Sequence, residues 1–290
     1  MNEKDYPALF EAADTASNRT QSHHLRTVLG YLSSLVVGST LAFYGIEHSY
    51  LAIIGAFIFI VGLFLTYILL NKNFENTWYN CRALAESIKT STWRYMMRAE
   101  PYEDCENVQI ANTEFRNLLT GLLKQSMNIS HELGGEPSER EQITQKMKNV
   151  RAMSLNERKR FYLDHRIDEQ RKWYSKKYIY NKKQKKKWFT ILIVFNVLAL
   201  IFVSFRIYYP SFGHWPSEIF VVLSGACLTW IQVKKFQELT SAYSLTAHEI
   251  GTIRGEIEKV ESEEKFSDFV NNSENAFSRE HTQWLAKRIY

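Results

Sequence analysis

The sequence has few of the residues that build disulfide scaffolds, metal sites or nucleotide-binding loops. Its three cysteines lie far apart with no Cys-x-x-Cys spacing, which argues against a zinc site or a disulfide framework and fits a reducing compartment. Five prolines and twelve glycines suit a mostly helical chain. The phosphate-binding GxxxxGK[ST], dinucleotide-binding GxGxxG, zinc-binding HExxH and nucleophile GxSxG motifs do not occur. We therefore predict no catalytic, cofactor-binding or metal-binding residues and no enzymatic activity.

Charged residues are absent from four long stretches of the chain. The first two, 27–46 and 48–71, are separated by Glu47 alone. A bilayer core is ~30 Å thick, so about 20 apolar residues in a helix span it. Spans of about 27–46 and 50–70 predict a transmembrane helical hairpin. The alternative is a buried helical pair in a soluble protein. The length of the charge-free runs disfavours it, because one face of a helix in a soluble protein usually meets water and carries charged residues.

The second half of the chain repeats this order of elements. A third charge-free run, 188–205, ends at Arg206, and a fourth run ends at Val233. They predict a second hairpin with spans of about 188–208 and 213–233. The two halves share little sequence identity, but the order of entry segment, hairpin and following helix is the same in both, which predicts a duplication.

A helical seam follows each hairpin. Apolar residues recur at alternating spacings of three and four from Phe74 to Tyr95 and from Phe236 to Val260, which predicts stalks at 72–99 and 234–262. We expect the helix to continue from the second span into the first stalk without a stop, and Pro101 to end it. At one constant offset, three seam positions of the two halves align: Phe74, Ala85 and Ile88 with Phe236, Ala247 and Ile250.

The predicted fold class is an all-α integral membrane protein. It consists of two tandem repeats, each a transmembrane helical hairpin with long cytoplasmic helices. The first hairpin module covers residues 1–133, and a linker region at 134–153 begins with Gly-Gly-Glu-Pro. The second module covers 154–290, opens at a Ser154–Glu157 capping box and closes with a C-terminal helix.

The distribution of basic residues predicts the orientation. Residues 151–187 contain fourteen Lys and Arg against four Asp and Glu, and this helix runs directly into the third charge-free run. Lys and Arg adjoin the span ends that continue into long segments, so both termini and the central segment are expected to be cytoplasmic. Because the basic helix lies against the membrane, we read it as a topology signal that touches anionic lipid. We predict a lipid bilayer partner and no nucleic-acid partner.

Several motif strings resemble one known family. They are Arg82-Ala-Leu-Ala-Glu-Ser-Ile-Lys89, Trp93-Arg-Tyr95, Arg98-Ala-Glu-Pro-Tyr102, Tyr162-Leu-Asp-His-Arg-Ile-Asp168 and Ser278-Arg-Glu-His-Thr-Gln-Trp-Leu-Ala286. Together they resemble the SLATT proteins, bacterial two-span modules associated with nucleotide-signalling conflict systems, here in tandem. The resemblance implies an effector in the bacterial inner membrane that forms homo-oligomers, responds to a nucleotide second messenger or its sensor protein, and breaches the membrane during phage infection. It supplies no ligand-binding residues.

Four residues are candidates for pore lining or helix packing. Gly30, Ser34 and Gly38 form a small-residue stripe on the first span, of the kind that lets membrane helices approach closely. Ordinary membrane-helix composition is the alternative. Asn196 carries an amide into the third span, where it must find water in a pore or a partner on another helix.

Two arginines near the end of the first stalk are the candidate anion or signal contact. Arg94 and Arg98 are four residues apart, so on a helix their guanidinium groups share one face and suit a phosphate or carboxylate. The alternative is a salt bridge to an acid within 103–106.

Three functions are consistent with these patterns. The first is an inner-membrane effector that permeabilises or depolarises the membrane when triggered, through rearrangement of the stalks. The second is a non-conducting membrane scaffold that assembles through the seams and recruits a partner protein. The third, an integral-membrane enzyme, lacks a catalytic constellation. No charged residue lies in the middle of a span, which weighs against an ion-coupled transporter.

Overall fold

The computed structural model describes residues 1–103, 107–134, 140–211 and 214–286, with the backbone alone from 279 onward. The described chain contains helices, turns and loops and no strand, so the predicted all-α class is confirmed. The α-helices are α1 (Ala8–Tyr44), α2 (Ser49–Lys72), α3 (Phe74–Met97), α4 (Val108–Gln125), α5 (Gln145–Arg151), α6 (Leu155–Tyr162), α7 (Glu169–Tyr208), α8 (Ser217–Lys234), α9 (Phe236–Glu256) and α10 (Glu263–Ala286). A π-helical segment, Leu163–Asp168, joins α6 to α7.

The start of the second half follows the predicted capping box. The backbone N–H of Ser154 donates to the Glu157 carboxylate at 2.9 Å, and the Ser154 hydroxyl donates to the same oxygen at 2.7 Å. These bonds satisfy groups that a helix start leaves without an intrahelical partner, so α6 begins at Leu155. The predicted linker region includes 135–139, outside the described residues, and α5, in which Met147 and Val150 are fully buried.

The junction between span and stalk differs from the expected continuous helix. Asn73 adopts the left-handed conformation (φ 46°, ψ 32°) and separates α2 from α3. Lys235 does the same between α8 and α9 (φ 48°, ψ 39°). A left-handed residue ends a helix because it turns the backbone, so that the following N–H groups no longer make the regular bonds to the carbonyls four residues earlier. Each directly precedes the first seam residue of its half. The helix break therefore occurs at the same position in both sequence repeats.

The end of the first stalk is set by another left-handed residue. α3 ends at Met97 and Arg98 has φ 56°, ahead of the proline that was expected to end it. The Ala99 N–H donates to the Arg94 carbonyl at 2.9 Å, which satisfies one of the last carbonyls of the helix. The prediction of Pro101 as the stop is wrong because the backbone turns earlier.

The chain divides into two compact units. The core unit comprises Met1–Gln21, Glu75–Lys176 and Ala242–Tyr290, and the hairpin unit comprises Ser22–Phe74 and Lys177–Ser241. Each unit therefore draws on both halves of the sequence.

The core unit buries the later part of both seams in one hydrophobic cluster. Cys81, Ala85 and Ile88 of α3 and Ile250 of α9 have no accessible surface. The N-terminal residues, α4 and α10 contribute to the same cluster. Because the buried seam positions are already occupied within one chain, they do not offer a free surface for assembly between copies.

The hairpin unit shows the surface of a membrane protein. Four helical segments of the described chain are long and apolar enough to cross a bilayer: Ala8–Tyr44, Ser49–Lys72, Leu155–Tyr208 and Ser217–Lys259. The predicted start of the fourth span, at 213, lies outside the described residues. Large apolar side chains face outward along these segments, among them Leu63 at 71% exposure and Leu200 at 67%. A buried helical pair of a soluble protein would cover such side chains.

Candidate functional site

The small residues of the first span lie against α2. A Cβ atom placed on Gly38 would lie 2.7 Å from the ring of Phe59, and one placed on Gly62 would lie 2.5 Å from Ser34 Oγ. A Cβ on Gly30 would meet a leucine methyl of α2 at 3.3 Å. The Ser34 hydroxyl donates to the carbonyl of Tyr31 at 2.7 Å. The candidate residues of the first span are thus used for helix packing inside one hairpin, where glycine permits close backbone approach.

Asn196 of α7 connects the two helices of the second hairpin. Its Nδ2 donates to Ser224 Oγ of α8 at 2.6 Å and to the Leu192 carbonyl at 2.8 Å. Ser224 is buried, whereas Asn196 is exposed. Aromatic rings also join the two helices, including Phe202 and Phe220, which stack at 5.2 Å.

The amide oxygen of Asn196 takes no part in these contacts. Within the described chain no hydrogen-bond donor reaches Oδ1. Asn196 lies two turns after Trp188, where the charge-free run begins, so it is ~12 Å along the helix from that end of a ~30 Å core. An acyl chain cannot donate a hydrogen bond, and an unpaired polar group in such a medium costs about 1–3 kcal/mol or more.

The two candidate signal residues lie at the end of α3, and both contact neighbouring elements. Arg98 Nε donates to the Arg151 carbonyl at 2.9 Å, and Arg94 Nη2 donates to Asn275 Oδ1 at 2.7 Å. Arg94 Nε is buried and has no hydrogen-bond partner among the described residues. Of the alternative partners at 103–106, Glu103 accepts a hydrogen bond from Ser267 Oγ at 2.6 Å, and residues 104–106 lie outside the described residues.

Two further arginines, which the sequence reasoning missed, satisfy the carbonyls at the end of α3. Arg151 donates to the carbonyls of Tyr95, at 2.5 Å, and Tyr102, at 2.9 Å. Arg158 donates to the Met97 carbonyl at 2.7 Å and pairs with Glu263 of α10. Burial lowers the pKa of Arg158 even though Glu263 opposes that shift. These cations lie where the last carbonyls of a helix carry partial negative charge, so the cluster stabilises the end of the stalk.

A buried ion pair links the π-helical segment to α10. Arg166 Nη2 lies 2.5 Å from Glu274 Oε2, and the Tyr162 hydroxyl donates to Oε1 at 2.9 Å. Burial disfavours the charged guanidinium, but Glu274 more than compensates and raises the pKa of Arg166. The guanidinium also lies 5.9 Å from the ring centroid of Trp93. Arg166 falls within a motif string that the sequence singled out, but its partner, far away in the chain, has no local signal.

The family is established by comparison with family models. Residues 7–159 match the model of SMODS and SLOG-associating 2TM effector domain 3 (SLATT_3), and residues 162–284 match that of domain 1 (SLATT_1). The chain belongs to the SLATT family. The predicted tandem arrangement is therefore confirmed, and the protein is a membrane effector made of two two-span modules. No curated protein and no solved structure matches the chain.

The two SLATT modules share one core. Trp93 of the SLATT_3 region lies against Tyr162 and Arg166 of the SLATT_1 region, and Arg158 pairs with Glu263 across the same division. The modules are consecutive in sequence but are not independent in packing.

Proposed function

We propose that this tandem SLATT protein is a bacterial anti-phage, conflict-system effector that forms homo-oligomers and permeabilises or depolarises the inner membrane when triggered. The observation that carries the proposal is the amide oxygen of Asn196, an exposed mid-span residue whose oxygen has no donor in the described chain. A second copy of the chain or water can supply that donor, and acyl chains cannot. Assembly of several copies around this face of the second hairpin would give the Asn196 oxygen a donor from a second copy or from water between the copies.

The absence of mid-span charges supports a passive path. The sequence has no Asp, Glu, Lys or Arg between Trp188 and Phe205 or between Ile219 and Val233. Ion-coupled transport depends on ionisable groups within the membrane, whereas leakage along a hydrated helix face does not.

The proposed orientation places both termini in the cytoplasm. Lys72, Lys187 and Lys234 adjoin the ends of spans that continue into the core unit's helices. The corner of the second hairpin offers Arg206, which pairs with Glu218 at 2.6 Å and so adds no net charge. The positive-inside rule then favours a cytoplasmic core unit.

The proposed trigger is a nucleotide second messenger. It acts either directly, at the α3 end that carries Arg94 and Arg98, or through a separate sensor protein, as the association named in the family description suggests. Because the Arg98, Arg151 and Arg158 side chains hold the end of the first stalk, a change there would act on the stalk that follows the first hairpin.

The test is dye leakage from liposomes carrying the purified chain, with and without candidate nucleotides. Asn196→Leu removes the whole amide, whereas Ser224→Ala removes the acceptor on α8 and leaves the Asn196 oxygen in place. We expect Asn196→Leu to abolish leakage and Ser224→Ala to retain most of it. Membrane insertion is verified for every variant.

The outcomes separate the alternatives. Equal loss in both variants would mean that the Asn196–Ser224 bond matters for hairpin packing and not for assembly. Leakage without a nucleotide would assign control to a partner. No leakage from the inserted wild-type chain under any condition would favour the non-conducting scaffold.

A further inference from the structure

One end of the hairpin unit carries a dense group of lysines. The group, called here the lysine cluster, comprises Lys182, Lys183, Lys185, Lys186, Lys187 and Lys234. No carboxylate of the described residues lies within ion-pair distance of any of the six. Protein surfaces usually intersperse both signs of charge, so this concentration calls for an anionic partner.

The sequence of the hairpin unit cannot neutralise the cluster. Its residues, 22–74 and 177–241, contain three acids: Glu47, Glu218 and Glu238. Glu47 and Glu218 belong to the hairpin corners, at the other ends of the spans. Glu238, near the start of α9, is then the one acid of this unit left to oppose six lysines.

Two tryptophans place the cluster at a membrane interface. The rings of Trp188 and Trp230 lie 6.3 Å apart, across α7 and α8. Lys187 Nζ is 5.7 Å from the Trp188 ring centroid, and Lys234 Nζ is 5.7 Å from that of Trp230. Tryptophan favours the headgroup level of a bilayer, and the charge-free run begins at Trp188 itself. The ammonium groups therefore lie where phospholipid phosphates lie.

We propose that the lysine cluster and the Trp188–Trp230 pair form a binding surface for the headgroup phosphates of anionic phospholipids. Lysine supplies a point charge with three donors for a phosphate, and the indole rings pack against the glycerol region and the first methylenes. A basic surface next to a span attracts anionic lipid by about fivefold in local affinity per lysine. The surface would enrich acidic lipid around the second hairpin whether or not the protein opens a pore.

The experiment measures lipid preference directly. The full chain is reconstituted in phosphatidylcholine vesicles that contain a trace of dansyl-phosphatidylglycerol or dansyl-phosphatidylcholine, and energy transfer from tryptophan to dansyl is recorded. Unlabelled lipids then compete with the probe. We expect phosphatidylglycerol to displace the dansyl-phosphatidylglycerol probe at a far lower mole fraction than phosphatidylcholine does.

Three variants identify the source of the preference. Lys187→Gln with Lys234→Gln should weaken the competition by phosphatidylglycerol roughly 25-fold, at about fivefold for each lysine. The same pair changed to Arg keeps both positive charges and should retain the preference. Lys124→Gln with Lys265→Gln removes the same charge from exposed positions of the core unit and should change nothing.

Two results would overturn the proposal. One is equal competition by the two lipids, or a preference that the double Gln variant leaves unchanged. The other is lysine-dependent capture of RNA that phosphatidylglycerol does not displace, which would assign the cluster to a nucleic acid. Because the readout is lipid proximity and not leakage, failure of the pore proposal would leave this result unaffected.

Discussion

At the two left-handed residues between span and stalk, we predict that substitution by glycine and by alanine will shift membrane permeabilisation in opposite directions. Asn73 and Lys235 each interrupt a helix at one residue. If triggering joins α2 to α3 and α8 to α9 as continuous helices, the break belongs to the resting state. Replacement by Gly then favours the resting state, and replacement by Ala favours the permeable state.

The magnitude follows from the backbone at these positions. A non-glycine residue in the left-handed region costs ~1–2 kcal/mol, which glycine avoids. In a helix interior the preference is reversed, since Gly is about 1 kcal/mol less favourable than Ala. A chain with Ala at one junction should therefore differ from a chain with Gly there by about 2–3 kcal/mol in this equilibrium, or about 30- to 150-fold. Lys235 should show the larger gain on change to Gly, because Asn tolerates the left-handed region better than Lys does.

The assay is the protein-to-lipid ratio that gives half-maximal dye leakage. Asn73→Gly and Lys235→Gly should raise that ratio, and Asn73→Ala and Lys235→Ala should lower it. Asn76 is the matched control, because it is an exposed asparagine inside α3 and is helical before and after any straightening. Gly and Ala at Asn76 should change helix stability without moving the threshold in opposite directions.

Shifts of the threshold in the same direction for Gly and Ala at Asn73 would show that the junction does not straighten on triggering. Opposite shifts that appear equally at Asn76 would contradict the prediction too, because helix propensity alone would then explain them. Circular dichroism of each inserted variant separates loss of helix from a change in the equilibrium.

Three other perturbations test the packing. Glu274→Gln should destabilise the protein by about 3–5 kcal/mol in denaturant unfolding, because it leaves the Arg166 charge buried without its partner, whereas Glu264→Gln at an exposed position should have little effect. Gly62→Leu should cost about 1–3 kcal/mol of hairpin stability, but Gly225→Leu, with nothing within 4 Å of its added Cβ, should be tolerated. Burial raises the pKa of Tyr102 from 10.0 to about 12, so the folded state keeps a proton that the unfolded state releases; stability should fall between pH 10 and 12, and Tyr102→Phe should reduce that slope.

Local sequence patterns were sufficient to predict the two hairpins and the repeat. Charge-free length located four spans, and the seam spacing identified the positions of α3 and α9 that the core buries, from Cys81 to Ile250. The alignment of the two seams also corresponds to a backbone feature, the left-handed residues at Asn73 and Lys235. At Lys235 the break had no sequence signal, and at Asn73 the signal was only the tolerance of asparagine for the left-handed region.

Contacts between residues far apart in the chain could not be predicted from the single sequence. Asn196 was singled out because an amide in a membrane needs a partner, but nothing in the spacing selects Ser224. The basic residues of the second half appeared as one charged helix, although Arg158 and Arg166 are fully buried and pair with acids of α10. A single sequence shows the period of a helix face and not which distant helix covers it. The seams therefore indicated burial without showing that both lie in one core.

The shared core also fixes the order in which the protein can be completed during synthesis. The first hairpin ends at Lys72, but α10, which supplies Phe266 and Val270 to the core, begins only at Glu263. At about 5–20 residues per second, a ribosome needs about 10–40 s to pass from one point to the other. Throughout this interval the first spans are available to the membrane while the last layer of the core is missing. Under the proposed function, a chain that ends before α10 would have its membrane spans but not the complete core that holds the stalks in place. Premature termination would then endanger the producing cell itself.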